Sequence, residues 1–363
     1  MKFLDLRWQQ RALEPELSSA MAEVLATCDF INGAATRYFE SAFAAYVGAT
    51  QCIGVGNGTD ALEIILEAAG VGPGDEVIVP AMTFAATSEA VFRVGATPVI
   101  VDVDETLMLD PRQVKVNLTT RTKAVIPVHL YGYPMNVSAL SAELDRPDLI
   151  FVEDAAQAHG ATIGGRSVGS LGYAGAFSFY PGKTLGAFGD AGGITTSDPE
   201  FAQRCRRIAN HGRLGKFDHE LAGRNSRMDS IQGAILNVKL RHLDAWVERR
   251  RVIADRYLTA WSGLDWLMLP AKPPSGQHGW HLFVLQADER ERLRSHLAEA
   301  GIPTGIHYPE CLPELPFHRE LLDAAVCPIA RAAAGRVLSI PIGEHLTDGE
   351  VDQVIEGVLT FNP

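Results

Sequence analysis

Short apolar runs alternate with helix-spaced ones along most of the chain. From Cys52 onward, DEVIVP, TPVIVDVD, KAVIPVHL and DLIFVED are each short enough to be a buried strand. Before DEVIVP, the segment GNGTDALEIILEAAG sets Leu62, Ile65, Leu66 and Ala69 at helical spacing; Thr59 or Asn57 can cap its start and Gly70 suits its stop. FAATSEAVFRVG reads as a second helix. The alternation predicts an α/β fold with a mostly parallel sheet flanked by helices. GAFSFY and GGITTS read as two further strands, which places Lys183 in the loop between them.

Past Met228 the pattern changes. SIQGAILNVKLRHLDAWVERRRVIADRYLTAW has the alternating charge and apolar spacing of one long helix linking two domains, and LPAKPPSG breaks it. WHLFVLQA, RERLRSHLAEAG and DGEVDQVIEGVL then predict a smaller C-terminal α/β unit. The expected division is a large domain over 1–245 and a small one over 246–363.

At 363 residues the chain can bury a sizeable core. Its 32 Lys and Arg against 44 Asp and Glu leave a net charge of −12, which disfavours nucleic acid and anionic membranes as partners. Any anionic ligand must be held by local groups. The cysteines, Cys28, Cys52, Cys205, Cys311 and Cys327, form no C-x-x-C pair, so no zinc or iron–sulfur site is expected, and the odd, dispersed set fits a reducing cytoplasm. The N-terminus has charges throughout and no run reaches a membrane span, so neither export nor membrane insertion is expected.

The candidate chemistry sits at three places. VEDAAQAHG ends an apolar strand, and ligands of open α/β sheets bind outside the carboxyl ends of strands, so Asp154 and Gln157 are placed to meet one. Taken alone, Asp154 reads equally well as a helix N-cap. GVGNGTDAL is not the dinucleotide fingerprint, yet Gly58 and Thr59 open a helix whose free N–H groups and dipole attract an anion. A plain tight turn explains the same residues.

Lys183 stands in FSFYPGKTLGAFGDAGG among aromatic and small residues. An amine attacks a carbonyl only when deprotonated, and such surroundings favour its neutral form. A lysine that forms a Schiff base with pyridoxal phosphate also needs a carboxylate for the pyridinium nitrogen and a phosphate cradle, parts that Asp154, Gly58 and Thr59 supply. By itself the segment is compatible with a solvated loop lysine.

VEDAAQAHGA, FSFYPGKTLGAFGDAGG, NHGR, GRNSRMDSIQGAIL, GIHYP and LSIPIGEHLT resemble, in order and spacing, the pyridoxal-phosphate-dependent nucleotide-sugar aminotransferases of the DegT/DnrJ/StrS family. The resemblance implies a fold-type I aminotransferase, a homodimer with its active sites shared at the subunit interface. It makes Lys183 the Schiff-base lysine, Asp154 the pyridinium partner and Gln157 a contact beside the ring. Ser178 and the Gly58–Thr59 turn match the phosphate cradle, Phe84 an aromatic over the ring, and Asn225 a residue that reaches the neighbouring subunit's phosphate. Without the family, Phe84 reads as an ordinary core residue.

His159, Tyr180, His307 and Tyr308 are candidates for the sugar-nucleotide side of the pocket, although His and Tyr also serve structurally at domain joins. Tyr133 and the run CLPELPF depart from the family pattern and are expected to line the substrate pocket. The implied reaction moves an amino group from L-glutamate to a keto group of a nucleotide-linked sugar. GNGTDALEI and RNSRMDSIQGAILNVKLRHLDAW are similar to the branch that aminates C3 of a dTDP-linked 6-deoxy hexose, with C4 amination as the alternative. A related sugar dehydratase would replace the lysine with histidine or add clustered cysteines. A DNA-binding regulator would need a helix-turn-helix segment for which the chain has no room.

Overall fold

The computed structural model describes residues 1–213, 215, 217–321 and 325–363. Its strands are β1 (Gln51–Val55), β2 (Glu76–Pro80), β3 (Thr97–Val101), β4 (Thr122–Val125), β5 (Ile150–Asp154), β6 (Thr162–Ile163), β7 (Arg166–Ser167), β8 (Ala174–Ser178), β9 (Gly192–Thr196), β10 (Leu267–Met268), β11 (Gly276–Gln277), β12 (Phe283–Ala287) and β13 (Val337–Ile340). Seven of them form the main sheet in the order β1-β9-β8-β5-β4-β2-β3. Every pairing from β3 through β8 is parallel. Only β9 runs the other way, antiparallel to both neighbours.

That reversal has a local cause. No helix separates β8 from β9, and a parallel return would require a crossover over one face. The intervening loop 179–191 instead turns back at the carboxyl end of β8, which is also the end at which β5 delivers Asp154. Lys183 thus lies in a loop between two strands, as its flanking runs predict.

The helix Gly58–Ala68 is capped by Asn57, whose side chain accepts from the Asp60 N–H at 2.8 Å. Its burial is wider than a single amphipathic stripe: Ile64, Ile65 and Leu66 are fully buried, and so nearly is Leu62. Each such side chain contributes about 1.5–3 kcal/mol on burial. Even Glu63 is buried, where Arg224 neutralises it. The helix is enclosed by β8 and β9 on one side and by the helices Ala86–Arg93 and Pro199–Ala209 on the others.

The expected single helix after Met228 is two, Ser230–Leu240 and Leu243–Trp261. At the break, the His242 N–H bonds back only three residues, to the Lys239 carbonyl at 3.0 Å. The second helix belongs to two cores. Leu243 and Val247 pack with Phe39, Phe43, Phe177 and Phe179, whereas Ile253, Tyr257 and Trp261 pack with Trp280, Phe283 and Val351. A three-stranded antiparallel sheet, β10-β12-β13, carries the second core with the helices Arg290–Glu299 and Asp348–Leu359.

The turn after β4 meets the segment leading into β12 at Gly132. The Gly279 N–H donates to its carbonyl at 2.8 Å and the Leu282 N–H to the Tyr131 carbonyl at 3.2 Å. Gly132 has φ +102°, and a Cβ there would lie 2.8 Å from the Trp280 nitrogen, so only glycine permits this approach. Among the described residues no helix is long and apolar enough to cross a membrane.

Candidate active site

Asp154 ends β5 with 7% of its surface exposed. No helix starts there, so it is not a helix cap. One carboxylate oxygen accepts from the Thr87 hydroxyl at 2.8 Å and the other from the Ala156 N–H at 3.2 Å. Burial raises its pKa, against the opposing pull of these bonds and of the Lys183 charge. The neighbouring Glu153 points the other way and is fully buried. It accepts the N–H groups of Gly169, Leu171 and Gly172 at 2.7–2.8 Å and bonds His129 Nε2 at 2.9 Å. Because His129 Nδ1 accepts from the Met135 N–H at 2.9 Å, the ring proton sits on Nε2 and is donated to Glu153. This network holds the strand end rigid beneath Asp154.

The Lys183 N–H donates to the Tyr180 carbonyl at 2.8 Å. Its side chain is half-buried, and burial holds its pKa down at about 8, with Asp154 pulling it back up. The amine is therefore neutral over a pH range in which an ordinary lysine stays charged.

Gln157, at 6% exposure, is held at both ends. Its Oε1 accepts the Tyr131 N–H at 2.8 Å and its Nε2 donates to the Tyr308 hydroxyl at 2.9 Å. Tyr308 in turn lies against Phe84, ring centroids 5.7 Å apart and tilted by 40°. Phe84 is 55% exposed, which is not the behaviour of a core residue and leaves a free aromatic face. His307 bonds Ser339 through Nδ1 at 2.7 Å, and its carbonyl accepts from the Tyr131 hydroxyl. Burial and the Lys183 charge lower the pKa of His307.

The start of the helix Gly58–Ala68 comes to the same strand ends. A Cβ on Gly58 would sit 2.8 Å from Ser178 Cβ, and one on Gly192 would sit 2.3 Å from the Asn57 carbonyl carbon. Both glycines are thus required by close approach. Half-buried Thr59 and Ser178 stand beside these backbone N–H groups. The arrangement fits pyridoxal phosphate: a helix N-terminus for the phosphate, a buried carboxylate for the ring nitrogen, an exposed aromatic face for the ring and an amine for its carbonyl.

The expectations for His159 and CLPELPF change. His159, expected on the sugar-nucleotide side, is 2% exposed, wedged 5.5 Å from the Phe177 ring and 5.7 Å from that of Phe179, and burial lowers its pKa to about 3. Tyr133 packs edge-on to His278 and lines a cavity of 70 Å³ with Tyr131, Thr106 and Met268. In LYGYP it is Tyr131, at φ +59°, that turns toward Gln157 and His307. CLPELPF starts inside the core, where Cys311 and Leu312 are buried and the Leu312 N–H bonds the Ala81 carbonyl at 2.8 Å.

Tyr180 and Asn225 are exposed, and the backbone of Asn225 pairs with Asn210. Beside Asn225, the Ser226 hydroxyl accepts from the Gly56 N–H at 3.0 Å and donates to Asp60 at 2.6 Å, which ties this segment to the helix start. Thr87, Tyr131, Ser226 and His281 are residues of the site that sequence patterns missed. His281 interacts electrostatically with Lys183, His159 and His307, and burial drives its pKa well below the usual histidine range. Its only signal is a polar residue interrupting the apolar run WHLFVL.

A family model described as the DegT/DnrJ/EryC1/StrS aminotransferase family matches residues 12–359. The chain is 46% identical over 355 residues to the erythromycin biosynthesis sensory transduction protein EryC1 of Saccharopolyspora erythraea, covering 97% of each. It is 44% identical over 358 residues to a dTDP-3-amino-3,4,6-trideoxy-alpha-D-glucose transaminase of Streptomyces venezuelae, covering 98% of this chain and 94% of the relative. The crystal structure of S. venezuelae DesV in complex with a ketimine intermediate superposes with a TM-score of 0.96 at 44% identity, over 98% of this chain and 97% of that one. The chain belongs to the DegT/DnrJ/EryC1/StrS aminotransferase family and is a pyridoxal-phosphate-dependent aminotransferase.

Proposed function

We propose that this enzyme moves an amino group from L-glutamate to C3 of a nucleotide-linked 3-keto hexose, a dTDP-linked 6-deoxy sugar, and that Lys183 carries the cofactor. The observation that supports the lysine's role is its amine, held near pKa 8 by burial, close enough to the buried Asp154 for their charges to interact and at the strand ends where the helix Gly58–Ala68 begins. The substrate is read from the kinship with a dTDP-3-amino sugar transaminase of S. venezuelae.

Bound pyridoxal phosphate supplies an electron sink for the substrate carbanion. Asp154 would hold the proton on the ring nitrogen, and Thr87 orients its carboxylate. Gln157, fixed by Tyr131 and Tyr308, would contact the cofactor ring, and exposed Phe84 would stack on it. Lys183 Nζ would hold the cofactor's carbonyl group and, as a neutral amine, would act as the general base and acid that moves the amino donor's Cα proton. Gly58, Thr59 and Ser178 would bind the phosphate, and exposed Asn225 would complete the phosphate site of a second copy in a homodimer. Tyr180, His307 and Tyr308 face the sugar nucleotide. The large and small domains divide near residue 245, at the start of the helix shared by the two cores, and the enzyme works in the cytoplasm.

The test supplies nucleotide-linked 3-keto and 4-keto hexoses with glutamate and identifies the aminated carbon by NMR. Amination at C3 is expected; amination at C4 with none at C3 overturns the substrate reading and leaves Lys183 and Asp154 in place.

A further inference from the structure

Behind the Lys183 loop runs a chain of buried polar groups that the reaction itself does not use. Lys239, on the helix Ser230–Leu240, is 1% exposed. Its ammonium donates to the Gly186 carbonyl at 2.6 Å and to Gln9 Oε1 at 3.0 Å, and it lies 4.9 Å from the centre of the Phe188 ring. The Gln9 amide donates to Glu344 Oε1. Glu344 forms a buried ion pair with Arg250 at 2.9 Å, and Arg250 Nη1 reaches the carbonyls of Trp280, His281 and Ile342, each at 3.2 Å. The chain of contacts thus leads from the Lys183 loop through the N-terminal helix Leu6–Ala12 to the segment that carries His281.

The loop itself is folded tightly enough to pass on what happens at Gly186. A Cβ there would lie 2.5 Å from the Pro181 carbonyl oxygen and 2.9 Å from that of Tyr180, the carbonyl to which the Lys183 N–H is bonded. The same helix holds the loop at a second point, since Gln232 Oε1 accepts the Phe188 N–H at 2.8 Å. Leu185 and Ala187, on either side of Gly186, are fully buried. Burying a lysine is costly: desolvation lowers its pKa to about 8, opposed by Glu344. A methionine would pack the same space without that penalty, so a cation at this point is matched to the carbonyl and amide it holds.

We propose that Lys239 is a positioning residue for Lys183, fixing the loop through the Gly186 carbonyl and coupling it through Gln9, Glu344 and Arg250 to the Trp280–His281 segment. The proposal rests on the reading of Lys183 as the cofactor-bearing lysine only for its catalytic consequence. The tether is a property of the cofactor-free chain and can be measured there.

Hydrogen exchange of the full-length, cofactor-free protein is the first readout. In Lys239→Met the amides of 184–188 should exchange faster by roughly tenfold, the scale of one lost charge-assisted hydrogen bond, while those of β5 keep wild-type rates. Lys239→Arg, which keeps a cation, should recover most of the protection. Trapping of pyridoxal phosphate on Lys183 by borohydride, read by peptide mapping, should slow about tenfold in the Met variant, the cost of a small misplacement of the amine. Gln9→Ala, which leaves Lys239 in place and cuts its link to Glu344, should loosen 184–188 and 280–283 together, and it decides the matter if Lys239→Met does not fold. Wild-type exchange at 184–188 in either folded variant overturns the proposal. So does a uniform rise across β5 and the loop, which would make Lys239 a general stability residue. Faster loop exchange with no trapping on Lys183 even in the wild type would leave the tether standing and remove the cofactor role of Lys183.

Discussion

Gln157 Nε2 donates a 2.9 Å hydrogen bond to the Tyr308 hydroxyl, joining the end of β5 to a residue 151 positions further along the chain. With the Tyr131 N–H on Gln157 Oε1 and the Tyr131 hydroxyl on the His307 carbonyl, the contacts close into a ring at the edge of the site. Gln157→Leu strands both the Tyr131 N–H and the Tyr308 hydroxyl, whereas Tyr308→Phe strands only one amide hydrogen. Chemical denaturation of the cofactor-free protein should show the first variant destabilised by about 1–3 kcal/mol and the second by less. Equal losses would mean that the ring of contacts carries no energy of its own.

Asp154 sets function against stability. Burial raises its pKa, so the protonated form is favoured by the fold; that contribution is complete at low pH and is lost as pH rises through the folded pKa. Asp154→Asn removes the cost of the buried charge at neutral pH. The cofactor-free variant should gain on the order of 1 kcal/mol in denaturant unfolding at pH 7, while its half-reaction with glutamate slows by roughly a hundredfold or more. A near wild-type half-reaction would reduce Asp154 to a structural role.

Lys183 should give a pH signature. With a pKa of about 8, its neutral amine predominates above that value, so cofactor attachment to the cofactor-free protein should accelerate with rising pH and level off beyond it. The folded pKa lies below the ordinary lysine value, so the fold binds fewer protons than the unfolded chain between the two, and stability from this group rises with pH across that window. An attachment rate still climbing steeply at pH 10 would show an unperturbed lysine.

At Gly58 the test is steric. The Cβ of Gly58→Ala would meet Ser178 Cβ at 2.8 Å and its Cα at 3.2 Å, pushing the helix start away from Ser178. Affinity for pyridoxal phosphate should fall by about tenfold or more, with little change for unphosphorylated pyridoxal, as read by equilibrium titration. Equal losses for the two ligands would remove the phosphate from this end of the helix.

Asn225 is exposed in the single chain, as a residue contributed to another copy's site would be. Mixing Lys183→Ala with Asn225→Asp subunits should restore activity to some of the mixed dimers, because one of their two sites is then intact. Stable mixed dimers with no recovery would count against a shared site.

Much of this protein is legible in its local patterns. The runs that end at Pro80, Val101 and Asp154 are strands because a short apolar segment flanked by polar residues and turns has few other ways to bury itself. Asn57 caps its helix because a side chain three residues from an unpaired N–H can reach it without help from the rest of the fold. The position of Lys183 between two strands follows from the runs on either side, and the family resemblance rests on motifs contiguous in the chain.

Tertiary packing decided what local pattern could not. A pattern that reads as one domain-linking helix hides both the break before Leu243 and the inward turn of Lys239 to a carbonyl 53 residues away. Tyr131 and Tyr133 are equivalent in the sequence, and only the left-handed backbone at Tyr131 turns it toward Gln157. His159 is buried by Phe177 and Phe179 on a neighbouring strand and the loop that follows it. In each case the partner is remote along the chain, and which side chains share one volume of space is settled by how the sheets and helices fill it, not by the residues next in line.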